Sequence, residues 1–337
     1  MTNSTPNVLT IIINYNTWEL TTYCLASLTH INNINHTIIV IDNGSTNNSV
    51  QKLLAWNYGE LPRNPTIHKS LKNHCTIYNN HSMQLITESK PTHLLPGTYL
   101  LQCSKNHGFS GGNNKVLEMV PPSHYDFIWY LNNDTVVTPN ALKEKINIFN
   151  SNPTMGLVSS TLYHYHEPTK IQSVGGKVNH WLGSTKTIID HSTHIDFLCG
   201  ASLLISTKSF ESIGKWDDAF FLNYEDADLS YRAKHHGLKV KCCETAIIYH
   251  KESASFNSEV NNGNLFVELC RIKSRIIFSK KYNLPTVGVI FGLIISMFIR
   301  IKRGQFKLAS QLFLLILNIK KPVQHFTNNN QIKEQTN

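Results

Sequence analysis

Apolar residues in the first 140 positions fall into short dense runs separated by longer amphipathic stretches. Val8–Asn14, "VLTIIIN", is apolar at both parities, as a strand buried on two faces requires. Trp18–Leu28 has its apolar residues at helical spacing, and Thr37–Asp42 is a second β-branched run that ends at Gly44-Ser45. This alternation predicts βαβ units, and so an α/β fold with a Rossmann-like, mostly parallel central sheet flanked by helices. Ligands of such sheets gather beyond the carboxyl ends of the strands. The polar strand tips are therefore candidate site positions: Asn14-Tyr15-Asn16, Asp42 to Ser45, and Asn132-Asn133-Asp134.

The rhythm breaks over residues 59–98, which are rich in His, Asn, Thr and Pro and read as an insertion or lid. It resumes at Tyr125. Residues 139–152 predict an amphipathic helix, and Asp196–Ser206, "DFLCGASLLIS", predicts strand structure. Gly108, Gly111 and Gly112 place three glycines in five residues ahead of Asn113 and Asn114, which are expected to open a helix. Residues 285–300 are apolar apart from Thr286, Ser296 and Arg300, and a basic stretch then leads to a second apolar run, Leu308–Ile319. The last 13 residues are polar and read as a frayed tail. The chain thus divides into a catalytic-sized unit, 1–282, and a basic, apolar helical region, 283–337.

Composition adds three points. With 41% apolar and 16% charged residues among 337, the chain can build a full core, which argues against disorder. Its seven cysteines show no CxxC spacing, so neither a zinc knuckle nor a disulfide framework is implied, and reduced thiols in a cytosolic compartment are expected. No secretory signal is read at the N-terminus. The net charge of +9 is local: Arg271 to Lys321 holds eleven Lys or Arg and no Asp or Glu, leaving 20 basic against 22 acidic residues elsewhere. That charge is mixed with aliphatic runs, not with the aromatic-studded groove of a single-strand binder, so no nucleic-acid partner is expected.

Five segments, "IIINYNTWELTTYCLASL", "IIVIDNGSTNNSV", "KNHGFSGGNN", "WYLNNDTVV" and "FFLNYEDADLSYRAKHHG", stand in an order and spacing that resembles family-2 glycosyltransferases. The likeness runs over roughly residues 8 to 282 and is greatest to the bacterial rhamnosyltransferase-like branch. It implies the GT-A fold, a nucleotide-sugar donor, a divalent metal (Mg or Mn) and an inverting transfer. Asp42 matches the carboxylate that receives the donor's base, with Tyr15 and Asn16 beside it. A strand-end Asp before Gly-Ser can equally shape an Asx turn, and Tyr15 can equally be packing. Gly108, Gly111, Gly112 and Asn113 match the donor-site loop; their spacing is not the dinucleotide fingerprint and contains no Walker lysine.

Many members of the family carry Asp-x-Asp where this chain has Asn132-Asn133-Asp134, so one carboxylate, Asp134, is left as metal ligand, with Asn133 beside the donor. His250, after a further apolar strand, matches a metal-binding histidine; a structural role is the alternative for one of 17 histidines. Glu225, Asp226 and Asp228 crowd three carboxylates into four positions just before a helix. Helix-dipole stabilisation alone accounts for acidic residues there. The resemblance instead assigns the general base to Asp226, with Glu225 orienting the acceptor. Asp228 is read as a cap or as an i,i+4 partner of Arg232. Asp217 and Asp218 form a rival acidic pair with a loop role.

The 16-residue run Leu284–Ile299 falls short of the roughly 20 residues that span a bilayer. With its basic flanks it reads as an interfacial or re-entrant anchor on an anionic membrane surface; a buried helical hairpin and a single span are the alternatives. The leading expectation is a cytoplasmic enzyme, peripheral to the inner membrane face, that adds rhamnose or another hexose to a growing, lipid-linked cell-surface glycan. The rivals are a sugar nucleotidyltransferase, which should carry a Gly- and Arg/Lys-rich N-terminal loop absent from "NYNTWEL", and a catalytically silent membrane scaffold.

Overall fold

The computed structural model describes residues 5–61, 69–74, 83–87, 94–251 and 262–319. The first half runs β1 (Asn7–Asn14), α1 (Trp18–Leu28), β2 (Asn35–Asp42), α2 (Ser49–Tyr58), β3 (Gln84–Ile86), β4 (Gly97–Gln102), α3 (Gly108–Met119), β5 (Phe127–Asn132) and β6 (Thr135–Val137). There follow α4 (Ala141–Ser151), β7 (Met155–His164), β8 (Ile171–Ser173), β9 (Gly175–Asn179), β10 (Ser184–Ile188), β11 (Ser202–Ser206), α5 (Thr207–Ile213), α6 (Glu225–His235) and β12 (Lys239–His250). Three helices close the described chain: α7 (Asn262–Lys281), α8 (Thr286–Lys302) and α9 (Phe306–Leu317).

The large sheet has the order β3-β4-β2-β1-β5-β11-β7-β12-β6, with β8 beside β7. Neighbours from β3 through β5 are all parallel, as the βαβ pattern predicts, and β12 is parallel to β7. The insertion of β11 antiparallel between β5 and β7 is what the alternation did not foretell. Strand parity sorts the core into two layers. Val8 and Ile12 of β1 face Leu25, Trp56 and Leu142, whereas Leu9 and Ile11 face Val116, Trp216 and Leu229.

Several boundaries differ from the sequence reading. The helix expected to open at Asn113 starts at Gly108, so the glycines lie inside α3. Gly108 has φ +74°, and a Cβ there would overlap the Phe221 carbonyl oxygen that accepts from Phe109 N at 2.7 Å. Only Ser202–Ser206 of the "DFLCGASLLIS" run is strand in the main sheet. Ahead of it, Gly200 N donates to the Asp226 carboxylate of α6 instead of to a ladder. The three carboxylates at 225–228 lie within the first turn of α6, not ahead of it. Within 59–98, the described pieces include a 3₁₀ turn at Lys69–His74, the edge strand β3 and the start of β4 at Gly97; residues 62–68, 75–82 and 88–93, like the polar tail, lie outside the described residues.

The division at residue 282 is bridged by α7. Its Phe278 packs with Tyr224 and Phe220, while its Ile272 and Ile276 pack with Val289 and Leu293 of α8 and Leu308 and Leu312 of α9. Among the described residues no helix is long and apolar enough to cross a membrane.

Candidate active site

The polar tips of β1, β2, β4 and β5 meet at one end of the sheet, and their side chains first bond to one another. Asp42 is buried; its Oδ1 accepts from Asn14 Nδ2 at 2.7 Å and Ser45 Oγ at 2.6 Å, and its Oδ2 accepts from Ser45 N at 3.1 Å. The Asx-turn geometry is therefore present. Asn16, at φ +58°, spends its side chain on the next loop: Oδ1 accepts from Thr46 N at 2.8 Å, and Nδ2 donates to Thr46 Oγ1. Tyr15 stands beside it, half-buried. Asn43, within the Asp42–Ser45 tip, clamps the glycine segment through His107 N, Asn106 Oδ1 and the Gly108 carbonyl. A Cβ on Gly112 would come within 3.2 Å of that same Asn43 amide, so the glycine permits the close approach of α3. Asn113 donates back to Phe109 O within the helix, and Asn114 reaches the Trp216 carbonyl and Asp218.

At the tip of β5 the three residues point to three different tasks. Asn133 ties the tip to α1 through Thr17 Oγ1 at 2.8 Å and Thr21 Oγ1 at 2.9 Å. Asn132 N donates to Ala201 O, and its side-chain amide lies 3.4 Å from His250 Nε2. Asp134 and His250 meet because β6 runs antiparallel to the end of β12, with Thr135 opposite His250. Asp134 Oδ1 is 3.2 Å from His250 Nε2, and both residues are buried.

The tautomer of His250 follows from its partners. Its Nδ1 is 2.8 Å from Gln172 Oε1, a group that only accepts, while the same amide's Nε2 donates to the His250 carbonyl. The ring proton thus belongs on Nδ1, and the Nε2 lone pair faces Asp134 Oδ1, a buried oxygen that completes no hydrogen bond. Two lone-pair donors at 3.2 Å with no proton between them fit a cation. Burial works to raise the Asp134 pKa, but His250, a backbone N–H and the charge of Lys251 together hold the carboxyl below its usual range. A proton on Nε2 and a divalent cation would compete for the same place. Among the described residues no third His, Cys, Asp or Glu completes a protein cage, so a bound ion would owe its remaining coordination to ligand oxygens and water. A cavity of about 300 Å³ borders His250 and is walled in part by His164, Tyr165 and Gln172.

The acidic helix start is reached through one turn. Gly200 N donates to Asp226 Oδ2 at 3.1 Å, and the next residue, Ala201, accepts from Asn132 N at 2.9 Å. Burial pushes Asp226 up to about 6, against the pull of the Gly200 and Ala227 N–H groups. Burial and then the charges of Asp226 and Asp228 hold Glu225 well above the ordinary carboxylate range, and its Oε2 is buried without a partner. Asn223 and Tyr224 precede the pair at φ +66° and +67°, left-handed backbone that costs roughly 1–2 kcal/mol per non-glycine residue. Tyr224 is fixed there by its Oη, which donates to Gly183 O at 2.9 Å.

Asp228 is fully buried and engaged by Arg232 Nε at 2.8 Å, Lys281 Nζ at 2.6 Å and Tyr282 Oη at 2.9 Å. The rival pair is likewise occupied: Asp217 holds Lys281 and Ala219 N, and Asp218 holds Asn114. Gln172 and Gly200 are the site-shaping residues that sequence reading missed. Gln172 lies on a three-residue strand with no period to mark it.

The fold is of the GT-A type. Residues 94–264 match the family described as Glycosyltransferase like family 2, and residues 10–68 match Glycosyl transferase family 2. The chain belongs to this family. A curated relative, the low-salt glycan biosynthesis hexosyltransferase Agl10 of Haloferax volcanii, is 23% identical over 194 residues, which span 53% of this chain and 60% of the relative. Among solved structures, the mannosyltransferase PcManGT of Pyrobaculum calidifontis, in complex with GDP-Man and Mn2+, aligns over 98% of this chain and 84% of its own with a TM-score of 0.52 at 10% identity. GalNAc-T7, solved with UDP, GalNAc and Mn2+, aligns over 73% of this chain and 44% of its own with a TM-score of 0.53 at 13% identity. At such identities the two structures speak for the fold.

Proposed function

We propose that the protein is an inverting hexosyltransferase that moves a sugar from a nucleotide-diphosphate donor to a growing glycan. The observation that carries this reading is the Gly200–Ala201 turn: one residue bonds to Asp226, the next to the tip of β5 that bears Asp134. Such a turn sets a carboxylate able to accept a proton beside a pair able to hold a cation. The donor base lies against Asp42 and Tyr15 in this reading, with Asn16, Asn133 and the Gly108, Gly111, Gly112 and Asn113 segment forming the walls of its cleft.

Asp134 and His250 would hold the cation, Mg2+ or Mn2+, which would supply positive charge to offset that of the leaving diphosphate. Asp226 accepts the proton of the attacking acceptor hydroxyl. Its depressed acidity suits that task, because a base with a pKa near 6 is ionised at neutral pH yet still binds a proton usefully. Glu225, whose acidity burial and the neighbouring carboxylates weaken, binds and orients the acceptor. Attack from the side opposite the leaving group inverts the anomeric centre in one displacement.

The sugar is a hexose, the class named for the Haloferax relative, with rhamnose among the candidates that the branch resemblance suggests. The acceptor is a lipid-linked cell-surface glycan, and the enzyme works in the cytoplasm, peripheral to the inner membrane face. Incubation of purified protein with a panel of nucleotide sugars, with and without Mg2+ or Mn2+, tests the reading. Slow metal-dependent release of nucleoside diphosphate from one donor, lost in Asp134→Ala, is expected. Absence of both hydrolysis and calorimetric binding across the whole donor panel would refute it.

A further inference from the structure

α8 turns Val289 and Leu293 onto Leu308 and Leu312 of α9, and leaves a second apolar stripe facing outward. Val287, Phe291 and Phe298 are 77, 50 and 61% exposed, and α9 adds Phe306 and Phe313 at 68 and 51%. Spacings of four and seven put each set along one side of its helix. The stripe continues onto the catalytic half: Trp181, 51% exposed at the tip of the β9–β10 hairpin, has its ring centroid 5.6 Å from that of Phe291. The tip is seated firmly. A Cβ on Gly288 would overlap the Trp181 carbonyl, Arg275 donates to Leu182 O, and Tyr224 donates to Gly183 O.

The charges around this surface choose its occupant. Lys302, Arg303 and Lys307 are exposed where α8 passes into α9, and no Asp or Glu occurs between Arg271 and Lys321. A second copy packed about a two-fold axis would bring these cations against their own equivalents with no carboxylate from the segment to offset them. An anionic bilayer offers acyl chains to the phenylalanines, phosphates to the Lys and Arg heads, and the headgroup zone that indole prefers.

Resting on the glycosyltransferase reading with its lipid-linked acceptor, we propose that Trp181 and the outward stripes of α8 and α9 form one docking surface for an anionic lipid bilayer, which the protein lies upon without crossing. The hairpin tip is bonded to Tyr224, two residues before Asp226. Docking therefore fixes the bilayer plane relative to the base and presents a membrane-anchored acceptor to it at a set height.

Flotation of the full-length protein with vesicles of phosphatidylcholine, with and without phosphatidylglycerol, tests this. Binding is expected only with phosphatidylglycerol, at least about tenfold weaker in Phe291→Glu/Phe298→Glu and several-fold weaker in Trp181→Ala, with donor hydrolysis in solution unchanged in both. No binding to anionic vesicles, equal binding to neutral ones, or binding indifferent to these substitutions would overturn the proposal. So would a wild-type dimer, seen by analytical ultracentrifugation, that the Phe variants dissociate. If vesicle binding holds while no donor is turned over, the enzymatic reading fails and the docking surface stands.

Discussion

Gln172 presents its carbonyl oxygen to His250 Nδ1 at 2.8 Å, and this contact decides which ring nitrogen faces Asp134. Removal of the acceptor frees the ring to rotate or to protonate on Nε2. Gln172→Leu is expected to weaken Mn2+ binding by about 10- to 100-fold, and Gln172→Glu to keep it. Electron paramagnetic resonance of free Mn2+ measures both, and equal affinity in all three proteins would deny Gln172 a positioning role.

Asp226→Asn should lower kcat by about 10²- to 10⁴-fold while donor binding persists. Because burial raises Asp226 to about 6, the base is protonated and idle below that value and ionised above it. The rate of the wild-type protein should therefore rise with pH through an inflection near 6. Any residual rate in the Asn variant should lack that inflection.

Asn132 lies 3.4 Å from His250 Nε2, so Asn132→Asp adds a second carboxylate to the Asp134–His250 pair. Hard divalent cations favour added anionic oxygen. Mn2+ affinity should rise several-fold, and calorimetric titration would show it. An unchanged value would place the cation away from the tip of β5.

Gly108→Ala forces a methyl group onto the Phe221 carbonyl at a φ of +74°. The left-handed backbone alone costs roughly 1–2 kcal/mol, and the overlap adds to it. Differential scanning fluorimetry should show Tm lower by roughly 3–8 °C.

Much of this was readable in the sequence. The limits of α1 follow from its spacing, and the strand tips follow from apolar runs that end in Asn or Asp. Asp134 and His250 were both picked out, but their contact depends on β6, three residues long, and on a ladder joining positions more than a hundred apart. Asp42 was legible as a strand-end carboxylate; that Asn14 and Ser45 would occupy its oxygens was not, since such partners leave no periodic trace. α7 was hard to divide for a physical reason: its faces serve two cores at once.

His36 lies on β2, stacked on Trp129, where burial pushes it down to about 4 from the ordinary 6.5 and Thr10 Oγ1 lies 2.6 Å from Nε2. The folded protein thus favours the neutral ring. Its contribution is intact above pH 6.5 and is lost as pH falls from there through 4, because the unfolded chain takes up the proton first. Discounted for partial exposure, the loss is of order 1–2 kcal/mol. Unfolding midpoints in urea should fall over that window in the wild-type protein, and less steeply in His36→Gln.

Asp228 sets where this molecule can be cut or joined. With Arg232 on its own helix and Lys281 and Tyr282 where α7 ends, it is a buried carboxylate whose neutralisation is completed only by the last residues before the nominal boundary. A chain ended before Lys281 would keep the negative charge and lose two of its partners. A shortened enzyme should therefore run through Tyr282, and a foreign anchor grafted after that point must offer a residue without a side chain where Gly288 now makes room for Trp181.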